Sequence, residues 1–203
     1  MPHDDDLAPT YFLDHDSEPV RDFTRRAAGD VTSPRERAVR LFAAVCDGLR
    51  YDPYAVSRDP ADYRANVIAR KDRGFCIPKA ILFAAAARAC GIPTRLGFVD
   101  VKNHLSSEAL RAGMGTDVFV WHAYVELEIE GRRVKAAPRS IRRCARTSTC
   151  PCSRSMECTT PYCRRRTARG RRCSPTCAST ARSTTYPFDQ IARAFRETYG
   201  EPS

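Results

Sequence analysis

The stretch RGFCIPK at residues 73–79 constrains the fold most, because it places a cysteine where a helix should begin. The run KAILFAAAARAC at residues 79–90 consists almost entirely of strong helix formers, and Gly91 is a natural stop after it. Pro78 suits the first turn, since the amide hydrogen that proline lacks would be unpaired there. The pattern therefore predicts Cys76 at a helix N-terminus.

The predicted position of Cys76 favours a reactive thiol. Unpaired amide groups and the positive end of the helix dipole stabilise a thiolate. An ordinary cysteine has a pKa of about 8.5, and such sites lower it to roughly 3.5–7.5. Most cysteines are instead small buried hydrophobic residues, and position alone leaves both interpretations open.

A strand is predicted over residues 117–129, which are rich in β-branched and aromatic side chains. One face is apolar and should be the core: Phe119, Trp121, Ala123, Val125, Leu127 and Ile129. His122 points the other way, with Tyr124, Glu126 and Glu128. A single histidine on a strand is usually solvent-facing. A cysteine at a helix start followed by a histidine on a later strand is, however, the arrangement in which an imidazole can take the thiol proton.

Three sequence motifs contain or flank the predicted helix and strand. They are Gly74-x-Cys76 opening a helix that ends in RACGIPTR at residues 88–95, HAYVE at residues 122–126, and LRY at residues 49–51. Together they resemble the transglutaminase-like domains of the papain-like cysteine-enzyme superfamily, over about residues 33–138. The chain also resembles a bacterial subgroup of this family, through YDPY at residues 51–54, GFCIPK at residues 74–79 and Asn103-His104.

The resemblance implies an α+β, papain-like fold with N-terminal helices packed on an antiparallel sheet. It also implies Cys76 as nucleophile and His122 as base, with His104 a rival base. The family's third catalytic residue is an aspartate about 15 residues after the histidine, where this chain has Ala137. The family also tends to carry tryptophan near Arg133.

The implied function is cleavage or transfer at amide or peptide bonds through a thioester: hydrolysis, deamidation or acyl transfer. The substrate would be a peptide, a protein or a small amide, and no metal or organic cofactor is implied. Ala137 favours an alternative, a catalytically impaired fold that serves as a binding or structural module, because alanine cannot orient an imidazole.

Four regions are predicted: an N-terminal extension (1–32), the core (33–138), an anomalous segment (139–185) and a C-terminal helix (186–203). The core begins with a capping box at Ser33 and Glu36, which predicts a helix to about Leu49. We expect its buried side at Val39, Phe42, Val45 or Cys46, and Leu49.

The net charge of +10 comes from the anomalous segment, which carries 12 Arg and one acidic residue, Glu157. The other 22 basic and 23 acidic residues nearly cancel, so nucleic-acid binding by the core is not expected. The chain has no apolar run of membrane-spanning length, and Met1 starts no secretory signal, so we expect a cytoplasmic protein.

The segment 139–185 also holds seven of the ten cysteines and shows no helical or strand period. Its cysteine spacings lack the paired knuckles of a zinc module. A disordered nucleic-acid tail is a second interpretation, although its cysteine content is unusual for a reducing compartment. We favour a third, a shifted reading frame, because a neighbouring register can encode acidic sequence of ordinary apolar content. In each case we expect poor order.

Limited proteolysis tests this expectation. Trypsin should cut first within residues 139–182, because exposed arginines on unfolded backbone are its preferred sites. Mass spectrometry of early fragments locates the cuts. Strong protection of the segment, or one zinc ion bound per chain, would contradict the prediction.

Overall fold

The structure of the protein is a computed structural model, which describes residues 4–102, 115–116, 118–138 and 179–200. Its helices are α1 (Glu18–Ala28), α2 (Pro34–Gly48), α3 (Ala65–Ile68), α4 (Cys76–Ala89) and α5 (Phe188–Tyr199). Its strands are β1 (Arg50–Tyr51), β2 (Arg73–Gly74), β3 (Thr94–Lys102), β4 (Val118–Ile129), β5 (Arg132–Ala136) and β6 (Ser179–Ser183). Single 3₁₀ turns lie at Asp4–Asp6 and Pro60–Tyr63.

The architecture is the predicted α+β fold. Four strands form an antiparallel sheet in the order β5-β4-β3-β6, and β1 and β2 form a separate two-residue parallel pair. The helix α4 contacts α1, α2 and α3, and it also contacts β3 and β4. The helices and the sheet therefore share one core with α4 at its centre.

The helix α4 is apolar on all sides, and every residue from 77 to 88 is buried. A helix of that kind must lie inside a protein rather than on its surface. It ends as predicted at Gly91, whose φ is 75°. The Gly91 amide donates to the Arg88 carbonyl (2.8 Å) and the Ile92 amide to the Ala87 carbonyl (3.0 Å), the pair of bonds that closes a Schellman motif.

The helix α2 starts at the predicted cap, where the Ser33 hydroxyl accepts from the Glu36 amide at 3.5 Å. Val45, Cys46 and Leu49 are buried as predicted and Phe42 packs against the core, but Val39 is 40% exposed. Ala38 and Leu41 are buried instead, so the first half of the buried stripe lies one residue earlier than predicted. Moving the stripe by one residue turns the helix by about 100°. The small side chain of Ala38 lies in the core in place of Val39.

Lys79 is fully buried and caps the end of α2. Its ammonium group donates to the carbonyls of Val45 and Cys46, both at 3.1 Å, and to that of Leu49. The last carbonyls of a helix lack partners within it, and they carry the negative end of the dipole. Burial lowers the pKa of Lys79, and these carbonyls replace the water that its side chain loses.

The strand β4 contains a bulge. Val99 pairs with His122 and Val101 with Phe119, so two residues of β4 face one residue of β3. Trp121 lies in this bulge with a φ of 56°. The alternation of faces breaks there, and Phe119 packs with Val99, Val101 and Tyr124, away from the main core. The prediction that Phe119 faces the core was wrong, whereas the other five side chains named with it lie in or against the core.

Ion pairs cover the opposite face of the sheet. The buried carboxylate of Glu126 lies 3.2 Å from Arg182, 3.5 Å from Lys135 and 3.9 Å from Arg133. Arg133 also lies 3.6 Å from the buried Asp6. At the position where the resembled family tends to carry tryptophan, this chain therefore has a cation that pairs with two buried carboxylates.

The strand β6 corrects the predicted extent of the poorly ordered segment. Its residues were assigned to the segment 139–185, yet Leu96 pairs with Ser183 and Phe98 with Ala181. Strand pairing uses backbone groups, so a sequence without apolar alternation can still add to an open sheet edge. The buried Arg88 donates to the carbonyl of Thr184 at 2.7 Å. Residues 139–178 lie outside the described residues.

Replacing Lys79 tests its role as a cap. Lys79→Met should lower the free energy of unfolding by about 2–4 kcal/mol, because three buried carbonyls lose a charged donor. Urea denaturation followed by circular dichroism measures the change. Arg35→Met, on the exposed side of α2, is the matched control and should stay within about 0.5 kcal/mol of the parent. Equal stability of the two variants would contradict the role.

Candidate active site

The two-residue pair of β1 and β2 positions the start of α4. Tyr51 pairs with Gly74, and the Asp52 amide donates to the Gly74 carbonyl at 3.2 Å. A Cβ on Gly74 would lie 3.2 Å from the Cβ of Pro78 and 3.5 Å from a methyl group of Leu49. Glycine therefore lets the chain pass close to α2 and enter the helix two residues later.

Cys76 is the first residue of α4, as the sequence predicts, and it is partly exposed. The amide of Lys79 donates to the carbonyl of Phe75 at 3.3 Å. This bond closes the first turn of α4, and Pro78, which has no amide hydrogen, fits within that turn. The thiol thus lies at the positive end of a buried helix, a position that stabilises a thiolate.

Three tyrosines lie within electrostatic range of Cys76. Burial is the main cause that raises the pKa of Tyr63, Tyr186 and Tyr199, and the charge of Cys76 raises each of them further. The pKa reaches about 12 for Tyr63 and about 12 for Tyr199. All three hydroxyls are consequently protonated at neutral pH, and the rings of Tyr63 and Tyr186 lie 5.1 Å apart.

His122 is partly buried on β4, directly after the bulge. It lies opposite Val99 on β3, so the two side chains share a face of the sheet. The next residue of β3, Asp100, accepts a hydrogen bond from the Trp121 amide at 2.9 Å. A carboxylate therefore contacts the backbone immediately before His122.

Tyr199 connects the Cys76 end of α4 with the strand that carries His122. Its hydroxyl accepts from the Val120 amide at 2.7 Å and donates to the Val118 carbonyl at 3.3 Å. The charges of Cys76 and Asp100 both raise the pKa of this hydroxyl, after burial. The structure thus gathers Cys76, Asp100 and the start of β4 around one phenol.

Ala137 directly follows β5, the strand that pairs with β4. It packs with Val99, Val101 and Tyr124, on the face of the sheet that His122 shares with Val99. An apolar contact occupies this position, and a methyl group offers no acceptor to an imidazole.

Asp100 and Tyr199 were not predicted as site residues. Asp100 is a carboxylate on an apolar strand, which is a usable signal, whereas Tyr199 follows a long segment and gives none. The rival base His104 and its neighbour Asn103 lie outside the described residues. Among the described residues, no cluster of three or more histidine, cysteine or acidic side chains could bind a metal. In the same ranges no helix has the length and apolarity to cross a bilayer.

The model of the transglutaminase-like superfamily matches residues 21–135, more than half of the chain. The chain belongs to the transglutaminase-like superfamily. The matched range contains Cys76 and His122, and it ends before Ala137, β6 and α5. No curated protein matches the chain.

The fold is similar to that of a solved structure. A proposed cysteine protease from Cytophaga hutchinsonii is 16% identical with a TM-score of 0.50, over 66% of this chain and 40% of that one. A proposed protease from Parabacteroides distasonis is 15% identical with a TM-score of 0.42, over 64% of this chain and 26% of that one. The chain thus spans less than half the length of either structure.

Thiol labelling tests the position of Cys76. Iodoacetamide should modify Cys76 well below pH 8.5 and ahead of Cys46 and Cys90, because Cys46 is buried and burial raises the pKa of Cys90. Mass spectrometry of the three peptides across a pH series gives the rates. A Cys76 rate that rises only near pH 8.5 would contradict the prediction.

Proposed function

We propose that the protein is a thiol enzyme acting on amide or peptide bonds, with Cys76 as nucleophile and His122 as general base and acid. One observation carries the proposal. Cys76 starts the buried helix α4, and the ring contacts of Phe75, Phe195 and Tyr199 join this helix start to a hydroxyl that is hydrogen-bonded to the strand of His122. Membership of the superfamily supports the same chemistry.

The proposed reaction has two steps. His122 takes the thiol proton, and Sγ of Cys76 attacks the carbonyl carbon of the amide. The C–N bond breaks, His122 gives its proton to the leaving amine, and a thioester remains. Water, activated by His122, then releases a carboxylate, or an amine releases a new amide, and the thiol is restored. The amide of Cys76 would stabilise the oxyanion.

The proposed substrate is a peptide, a protein or a small amide, and a pocket of about 270 Å³ lies beside the start of α4. Its lining includes Gly74 and Pro78, which flank Cys76 in sequence, and Tyr63. The charged side chains of Asp62, Lys71, Asp72 and Arg73 also line it. We propose that this pocket receives the polar part of the substrate next to the bond that Cys76 attacks.

The second candidate function is a non-catalytic binding module with the same fold. Ala137 favours it, because the superfamily's orienting carboxylate would stand there and an apolar contact takes its place. Loss of the orienting carboxylate in a triad enzyme lowers the rate by about 10⁴. The two candidates differ in one measurable property, the dependence of Cys76 reactivity on His122.

Substitution at Ala137 and His122 tests the enzyme proposal. Ala137→Asp should raise the labelling rate of Cys76 at neutral pH and raise amidase activity more steeply, because a carboxylate would fix the imidazole and stabilise its cation. His122→Ala should abolish both effects in either background. Labelling by mass spectrometry and amine release from a peptide amide are the measurements.

Equal labelling of Ala137→Asp and the parent, with circular dichroism showing both folded, would argue against this geometry. Reactivity of Cys76 that is unaffected by His122→Ala would favour the binding module.

A further inference from the structure

The backbone that leads into His122 is fixed by side chains from two other elements. β5 pairs with β4 only at residues 125–129, so the first residues of β4 lack that neighbour. Tyr199 occupies this stretch, with its hydroxyl between the Val118 carbonyl and the Val120 amide. Its bonds replace part of a strand ladder at Val118 and at Val120, the first residue of the bulge.

The ring of Tyr199 is itself supported from the Cys76 side. Phe195 lies on the same helix with its ring 5.5 Å from that of Tyr199, and 6.5 Å from that of Phe75. Phe75 is the residue directly before Cys76. A continuous row of aromatic contacts thus runs from the start of α4, through α5, to the backbone before His122.

Asp100 acts on the same backbone from β3. Its carboxylate accepts from the amide of Trp121, whose φ of 56° is a conformation that L residues rarely adopt. Such a conformation persists only where surrounding contacts fix it. The bond from Asp100 and the two bonds from Tyr199 together constrain the backbone that aims His122.

We propose that Tyr199 and Asp100 are positioning residues for His122, which fix the bulged backbone before it in place of an orienting side chain at residue 137. The inference rests on the proposed function, since it assigns these residues to the same Cys76–His122 pair. It places α5, which lies beyond the family match at residues 21–135, in the active site.

The charged and titratable groups around the pair set the pH range of the test. Asp100 lies on β3, and Tyr199 lies on α5. Tyr63 ends the 3₁₀ turn at Pro60–Tyr63, Tyr186 shortly precedes α5, and Cys76 starts α4. The raised pKa values keep all three phenols neutral up to about pH 9, so none of them titrates between pH 5 and pH 9.

The experiment measures the labelling rate of Cys76 by iodoacetamide from pH 5 to pH 9 in the full chain. Tyr199→Phe keeps the ring and removes both hydroxyl bonds, and it should lower the rate at pH 7 about tenfold. Tyr54→Phe, which removes a hydroxyl from a ring that is 71% exposed, should match the parent. Asp100→Ala should lower the labelling rate of Cys76 more than Asp100→Asn does, because the asparagine side-chain oxygen can still accept a hydrogen bond from the Trp121 amide.

Two double variants separate positioning from mere stability. In a His122→Ala background, Tyr199→Phe should cause no further loss, because its effect passes through the histidine. Ala137→Asp should raise the rate of Tyr199→Phe by a larger factor than it raises that of the parent, because a new acceptor orients the ring independently. Circular dichroism melts report the folded fraction of every variant.

The outcomes distinguish the inference from the proposed function. A parent whose Cys76 labelling ignores His122→Ala defeats the proposed function and the inference with it. A parent that depends on His122, with Tyr199→Phe and Asp100→Ala both at the parent rate, overturns the inference alone. An equal loss from Tyr199→Phe with and without His122 also overturns it. If Tyr199→Phe fails to fold, the difference between Asp100→Ala and Asp100→Asn decides.

Discussion

The burial of α4 is the constraint on which the rest of the structure depends. A helix that is apolar on every side must be enclosed, and here helices and sheet both contact it. Lys79 makes this possible at the end next to Cys76, since one buried ammonium group donates to three carbonyls at the end of α2. Cys76 is therefore carried on a rigid element, of which only Cys76 and Ala89 are partly exposed.

The bulge in β4 decides where His122 can point. A regular strand would place Phe119 and Trp121 on one face, but the structure sends Phe119 to the outer face and keeps Trp121 against the core. The extra residue changes the direction of the chain directly before the histidine. In the proposed enzyme, where the methyl group of Ala137 offers no acceptor, backbone geometry would carry more of the task of orienting the imidazole.

The sequence predicted the features that rest on local rules. The start of α4 at Cys76, its end at Gly91 and the cap at Ser33 follow from helix termini, which depend on neighbouring residues. The bulge was beyond prediction, because it arises from the pairing of two strands. The position of Tyr199 could not be predicted either, since the residues that it contacts are about 80 positions away in the sequence. The exposure of Val39 was not predictable either, because tertiary packing, and not local sequence, determines which of two adjacent helix faces is buried.

The magnitudes indicate why the backbone before His122 should matter for Cys76. A helix N-terminus stabilises an anion by about 0.3–1 kcal/mol at an exposed site and by up to about 2 kcal/mol at a partly buried one, which raises the ratio of thiolate to thiol by about thirtyfold at most. A thiol with an ordinary pKa of about 8.5 is only a few per cent ionised at neutral pH, so this effect alone leaves about half of it or more protonated. In the proposed enzyme, an imidazolium close to the sulfur would supply the remainder, and its contribution falls quickly with distance and poor alignment. The reactivity of Cys76 should therefore depend on the few hydrogen bonds that fix residues 118–121 more than on the helix that carries the thiol.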